Sequence, residues 1–214
     1  THRTRDGRLA FIPTEEFNNE LLGVLGDAQL RWPQVKLHQM TWLSNHVTKV
    51  LSVVGPHAAN SLAEWTSYVF GEAAKIAQAI HGLKGEIWES RRYRLIEIED
   101  DTRLRDRSKY TLGQAPAAGL VARPEHWPGV NTCDAVCPGG RLRGYRGSAA
   151  LRRRARRENV PMASIAPARE VAISPLPSHA RWTEYARRSW YRGLEREVAA
   201  EAATVIRTAR CAVS

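Results

Sequence analysis

The chain has 214 residues, 43% hydrophobic and 25% charged, and its 32 basic against 22 acidic residues give a formal charge of +10; that length buries a core as one domain, or one domain with an appendage. No apolar run approaches the roughly 20 residues that span a bilayer, and the start Thr1–Gly7, which lacks a Met, has no apolar segment of signal-peptide type and reads as processed or trimmed. Three Cys are too few for a disulfide scaffold and fit a reducing cytoplasm, while Cys133 and Cys137, four apart with no second Cys/His pair, lack the ligand count of a zinc site.

Leu9–Pro13 is a short apolar run after the Asp6-Gly7 turn signal and predicts a strand entering a loop. Thr14 followed by Glu15 and Glu16 is a helix start, and Phe17, Leu21, Leu22, Leu25 and Leu30 recur at helical spacing over 14–31. Val35, Leu37, Gln39 and Thr41 alternate with Lys36, His38, Met40 and Trp42. The turn Leu43-Ser44-Asn45 then leads into the β-branched run 46–54, which predicts an antiparallel hairpin.

Leu62, Trp65, Val69, Ala73, Ile76 and Ile80 form one face of a second helix over 60–81, capped by Asn60 or Ser61. Ile87–Glu99 reads as a strand, with Tyr93, Leu95, Ile96 and Ile98 as its formers. Asp100 or Asp101 caps a third helix to about Gly113, and Pro116 and Gly119 break the chain. Beyond residue 130 the texture changes: Pro138-Gly139-Gly140 is a linker signal, and Thr183 caps a final amphipathic helix over 183–209 with Tyr185, Trp190, Leu194, Val198, Ala202 and Val205 as its apolar positions. The order is α+β.

The charge belongs to this last third. Residues 1–130 hold 16 bases and 15 acids, whereas 131–214 hold 16 bases, all Arg, and 7 acids. Arg141–Arg157 contains eight Arg and no acid. Arg forks onto phosphate and stacks on bases, which suits a polyanion; a solvated face in an Arg-rich chain is the plainer reading.

Three constellations could carry chemistry. Tyr110 lies among Arg103, Arg105, Arg107 and Lys109, and nearby cations favour a phenolate and hold a phosphate; a ring packed inward with its hydroxyl out is the structural alternative. His46 enters a strand with Thr48 on the same side, where a His-x-His pair would offer two imidazoles to one metal; a lone His is ordinarily a satisfied one. Trp88, Arg91, Arg92 and Arg94 interleave an aromatic with cations, as a base-stacking surface or as the charged face of an edge strand.

Leu37–Ser52, with Asn45-His46-Val47-Thr48 at its centre, resembles the strand pair of the HUH-type single-tyrosine transposases, in the branch of the REP-associated tyrosine transposases. Gly85–Arg94 is similar to that family's Gly-x-hydrophobic-Trp-x-x-Arg-Tyr strand. Ser108-Lys109-Tyr110 with Ala118–Gly129 is similar to its tyrosine helix and exit loop. Ser174-Pro175-Leu176-Pro177 and the last helix resemble the longer members, so the likeness covers nearly the whole chain.

The resemblance implies a ferredoxin-like HUH nuclease core with a central antiparallel sheet over 1–130, and a basic, helical C-terminal extension over 131–214. It implies a DNA transposase that cleaves and rejoins single-stranded or hairpin DNA. Tyr110 would be the nucleophile, forming a 5′-phosphotyrosine link. His46 and Gln114 would be ligands of Mg²⁺ or Mn²⁺. Trp88, Arg91, Arg92, Arg94, Arg107, Lys109, Arg152, Arg153, Arg154, Arg156 and Arg157 would contact DNA. Family members often act as dimers, and the setting would be a bacterial cytoplasm at the nucleoid.

Two positions depart from the pattern. Thr48 replaces the second His, and Gln114–Gly119 lacks the family's Arg after the tyrosine helix. Loss of a ligand makes a degenerate relative that only binds structured DNA the alternative expectation. No feature favours a third, that of a basic RNA- or protein-binding protein.

Overall fold

The computed structural model describes residues 1–89, 94–133, 135 and 141–211. The chain is α+β. Its first sheet has three antiparallel strands, β1 (His2–Arg3), β2 (Val35–Trp42) and β3 (His46–Val53), in the order β1-β3-β2. Helix α1 (Glu15–Arg31) starts where Thr14 Oγ1 accepts from the Phe17 amide at 3.1 Å, and the two glutamates of its first turn favour the helix dipole. Helix α2 (Ala58–His81) begins after His57, three or four residues before the expected caps Asn60 and Ser61, and ends at Gly82, whose φ of +66° is the left-handed conformation that stops helices.

The hairpin β2–β3 forms as its pattern predicts, but not in one unbroken alternation. Leu37 pairs with Leu51 and Gln39 with Val50, so His38 is an extra residue in the ladder. The bulge moves every later side chain to the opposite face. Val35 and Leu37 therefore share a side with Met40 and Trp42, while Gln39 and Thr41 turn to the other side with His46 and Thr48. His38 is itself buried, its two ring nitrogens bonded to the Ser174 carbonyl (3.0 Å) and the Ser52 hydroxyl (2.8 Å).

Two expected strands are not formed as drawn. Leu9–Pro13 is irregular: Ala10 and Phe11 are buried while Leu9 and Ile12 are exposed, because Phe11 is tied to the β2–β3 turn through the Ser44 carbonyl (2.9 Å). In the run from Ile87 to Glu99, of which 90–93 lie outside the described residues, 87–89 keep strand-like bonding and Arg94 exchanges two backbone bonds with Thr1 (2.9 and 3.0 Å). Residues 87–89 lie antiparallel on the free edge of β1 through Arg5 N to Ile87 O (2.9 Å), Glu89 N to Arg3 O (3.0 Å) and a bridge between Thr4 and Trp88. Beyond Arg94 the chain leaves this edge, and Leu95 and Ile96 end up exposed; Tyr93 lies outside the described residues. The opposite edge, that of β2, is covered by Val130–Thr132 and by the Ser174 amide.

Helix α3 (Asp101–Leu112) is capped by Asp100, which accepts from the Arg103 amide at 2.7 Å, and a short helix α4 (Gln114–Ala117) follows Gly113. The Arg-rich stretch is not a free tail. It contains β4 (Arg141–Tyr145), α5 (Ala149–Glu158), α6 (Met162–Ile165) and β5 (Ala168–Ala172), with β4 and β5 paired antiparallel and packed onto α1. The approach is close because glycines meet on both sides: a Cβ at Gly23 would overlap the Tyr145 carbonyl, and one at Gly144 would overlap the Asn19 carbonyl. Helix α7 (Glu184–Cys211), capped by Thr183 Oγ1, packs against α3 and α4. Leu30 and Tyr185, read as apolar-face positions, are 72% and 82% exposed. Among the described residues no helix is long and apolar enough to cross a membrane.

Candidate nucleic-acid interface

Two sequence-predicted residues, His46 and Gln114, meet at the junction of β3, α3 and α4, one turn from a third, Tyr110. His46 opens β3, and its Nε2 donates to Gln114 Oε1 at 2.7 Å. Gln114 in turn donates through Nε2 to the carbonyl of Tyr110, one turn back, at 2.8 Å. That second bond fixes which way the amide faces, and so assigns the proton of His46 to Nε2. The Asn45 side-chain oxygen lies 2.8 Å from His46 Nδ1. Oxygens at both nitrogens would suit an imidazolium, but burial lowers the His46 pKa, partly opposed by the Gln114 bond, and Arg3 lowers it further. A neutral ring satisfies both contacts when the Asn45 amide turns its NH₂ group toward Nδ1.

Tyr110 stands on the outer side of this junction and is 45% exposed, so its ring is presented rather than packed inward. Its cationic flank is less free than the sequence suggests. Lys109 is paired with Glu201 and Glu197 of α7, and the Glu201 bond raises its pKa; Arg105 is paired with Glu197. Arg107 makes no ion pair among the described residues. Arg3, which the sequence reading missed, sits opposite His46 in the β1–β3 register and brings a cation to the site. Its only sequence signal was nearness to the N-terminal turn, which does not reveal strand pairing.

Beneath His46 the sheet face is polar. Thr48 is buried, its cross-strand partner is Thr41, and Gln39 lies two residues along on the same side. Thr48 Oγ1, Thr41 Oγ1, both amide atoms of Gln39 and Ser108 Oγ of α3 are buried with no hydrogen-bond partner among the described residues. Ladder residues seldom carry so many unsatisfied groups, and such places are commonly functional.

The ion implied by the resemblance would draw on His46, Gln114 and Thr48. Those are an imidazole, an amide and a hydroxyl, with no carboxylate, whereas Mg²⁺ and Mn²⁺ favour anionic oxygens. The first two are already bonded to each other. Among the described residues no group of three His, Cys, Asp or Glu could hold a metal ion. The donor set does not fit a hard divalent cation. No protein-family model matches the chain, and neither does any curated protein or solved structure.

The remaining expected DNA contacts divide. Trp88 packs its ring among Phe11 (4.6 Å), Phe70 (4.7 Å) and Trp42 (5.9 Å), and its Nε1 donates to the Phe70 carbonyl at 2.8 Å. It serves the core and is no stacking platform. Arg94 is exposed, and its backbone amide bonds the Thr1 carbonyl at 3.0 Å; Arg91 and Arg92 lie outside the described residues. Arg152 is spent inward, its guanidinium forked onto the fully buried Glu20 carboxylate at 2.9 and 2.6 Å. Arg154 and Arg157 share Glu158, while Arg153 and Arg156 are exposed and make no ion pair among the described residues.

Proposed function

We propose that the chain binds single-stranded or hairpin DNA through an HUH-type, tyrosine-transposase-like core that presents Tyr110 to the strand. The observation that carries the reading is that His46 and Gln114, 68 residues apart, meet through a hydrogen bond of 2.7 Å, one helical turn from Tyr110, whose backbone carbonyl accepts from Gln114 at 2.8 Å. The strand arrangement supports it as well. With 87–89 on the free edge of β1, the run (87–89)-β1-β3-β2 has the strand order and antiparallel sense of a ferredoxin-like sheet, and α3 lies across the face that bears His46.

Binding draws on exposed arginines and needs no metal. The neutral donor set of His46, Gln114 and Thr48 therefore favours a DNA-binding relative over an efficient nuclease. Strand cleavage is the second reading, favoured by the exposure of Tyr110. In that step the Tyr110 oxygen bonds to phosphorus as its proton passes to solvent. The bond from phosphorus to the 3′ oxygen breaks, and the departing oxygen takes up a proton as a 3′-hydroxyl.

Both readings are tested by mixing the protein with labelled hairpin DNA and Mn²⁺ and running native and denaturing gels. A retarded complex with no covalent adduct, and an adduct that appears in Thr48→His, is the expected pattern. An adduct in the wild type that disappears in Tyr110→Phe would establish cleavage. Absence of any complex at low salt would contradict both.

A further inference from the structure

A second site lies toward the opposite end of α3 from Tyr110. A cavity of about 310 Å³ opens between the start of that helix and the chain entering α7, walled by Asp101, Arg105, Asp106, His179, Trp182 and Trp190. His179 lies parallel to Trp182 (3.9 Å between centroids, 18° between planes) and meets Trp190 edge-on at 4.4 Å. Trp182 is 39% exposed. His179 is 4% exposed, and its Nδ1 has no hydrogen-bond partner among the described residues. Burial keeps this ring neutral, against the pull of Asp101.

We propose that this cavity seats one unpaired nucleobase bearing an amino group, stacked on Trp182 and read by the carboxylates of Asp101 and Asp106. The inference rests on the DNA-binding reading and adds a determinant of base preference to it. A planar ligand on Trp182 continues the stack that His179 begins, and base–aromatic stacking tolerates every base. Selection then falls to the edge groups. Carboxylates accept from exocyclic amino groups, such as cytosine N4, and have nothing to accept from at the corresponding position of thymine. Neither Asp101 nor Asp106 is in an ion pair among the described residues, so both carboxylates are available for that role.

The placement suits a base flanking the phosphate at Tyr110. Asp106 and Tyr110 are both exposed and four residues apart, hence on one face of α3 and about 6 Å apart along its axis. That is on the order of one extended nucleotide step.

The test uses the full chain and fluorescently labelled hairpins whose single-stranded arm is uniformly dC or dT, read by anisotropy. The wild type is expected to bind the dC arm about tenfold tighter than the dT arm. Trp182→Ala should weaken binding to the dC arm about tenfold, and Trp182→Phe should restore most of it. Asp101→Ala/Asp106→Ala should remove the dC preference while leaving the dT arm unchanged. Equal binding of both arms by the wild type, or a Trp182→Ala variant that still prefers dC, overturns the base site while leaving DNA binding standing. Failure of the wild type to bind either arm overturns both. Protection of Trp182 fluorescence by tetramethylammonium, with no effect from either arm, overturns the site in favour of a cation.

Discussion

At the residue scale the buried groups decide more than the exposed ones. Lys49 lies under the sheet with its Nζ 4.4 Å from the Phe70 ring centroid, and burial lowers its pKa to about 7. The group facing it from β1 is His2, 3.2 Å from Nζ. In the unfolded chain Lys49 titrates near its ordinary value of 10.5, so between about pH 7 and that value the unfolded state holds a proton the fold does not. Stability from this group therefore rises with pH across that window, and below it the fold carries the full cost of a buried ammonium. Lys49→Met should raise stability at pH 6 by about 3 kcal/mol and lose its advantage by pH 10. Urea unfolding at the two pH values gives the difference, and an advantage equal at both would refute the assignment. Glu20 and Arg152 give a second case. With Glu20 fully buried, Glu20→Gln should cost about 3 kcal/mol, and the double variant Glu20→Gln/Arg152→Met should recover part of it. A double-mutant cycle by thermal denaturation reads the coupling.

At the element scale the fold joins its parts through backbone as much as side chains. The hairpin β4–β5 sits on α1 because Gly23 and Gly144 leave no Cβ between them. Gly23→Ala should loosen the hairpin by about 2 kcal/mol or more, since the overlap is with backbone and no rotamer relieves it. Hydrogen exchange at 141–145 and 168–172 should quicken in that variant while exchange in β2 and β3 stays protected. Elements with a strong local signal were legible in the sequence. The Thr14 and Asp100 caps and the two apolar runs of the hairpin all act within a few residues. What was hidden depends on distant partners. The bulge at His38 exists because its ring reaches Ser174, 136 residues on. The short β1 owes its pairing to β3, and the inward turn of Trp88 follows from Phe11, Phe70 and Trp42, which no local pattern links. Of the candidate site, His46 and Gln114, both singled out in the sequence, do meet, with Tyr110 one helical turn before Gln114. The pairing of its cations to α7 and the aromatic cavity beside His179 were not legible, because both join segments more than 70 residues apart.

At the scale of the whole molecule, the formal charge of +10 overstates what the surface offers a polyanion. Of the eight arginines in 141–157, six are held by carboxylates: Arg141 and Arg143 by Glu170, Arg146 by Asp27 and Glu72, Arg152 by Glu20, and Arg154 and Arg157 by Glu158. Several of these pairs fasten the basic segment to α1 and α2, so much of the charge is structural. The exposed pairs are worth little to stability and can yield to phosphate, but Arg153 and Arg156 are the ones available outright. The measurement that tests the account most directly is the salt dependence of hairpin binding for the wild type, Arg153→Ala/Arg156→Ala and Arg152→Ala. The account predicts a linear fall of log affinity with log salt in the wild type. The double substitution should reduce the slope by about 1.4, the value for two phosphate contacts on a single strand. Arg152→Ala should destabilise the fold and leave the slope unchanged. A wild type that binds no hairpin at low salt, or a slope lost with Arg152 and untouched by Arg153 and Arg156, would contradict it.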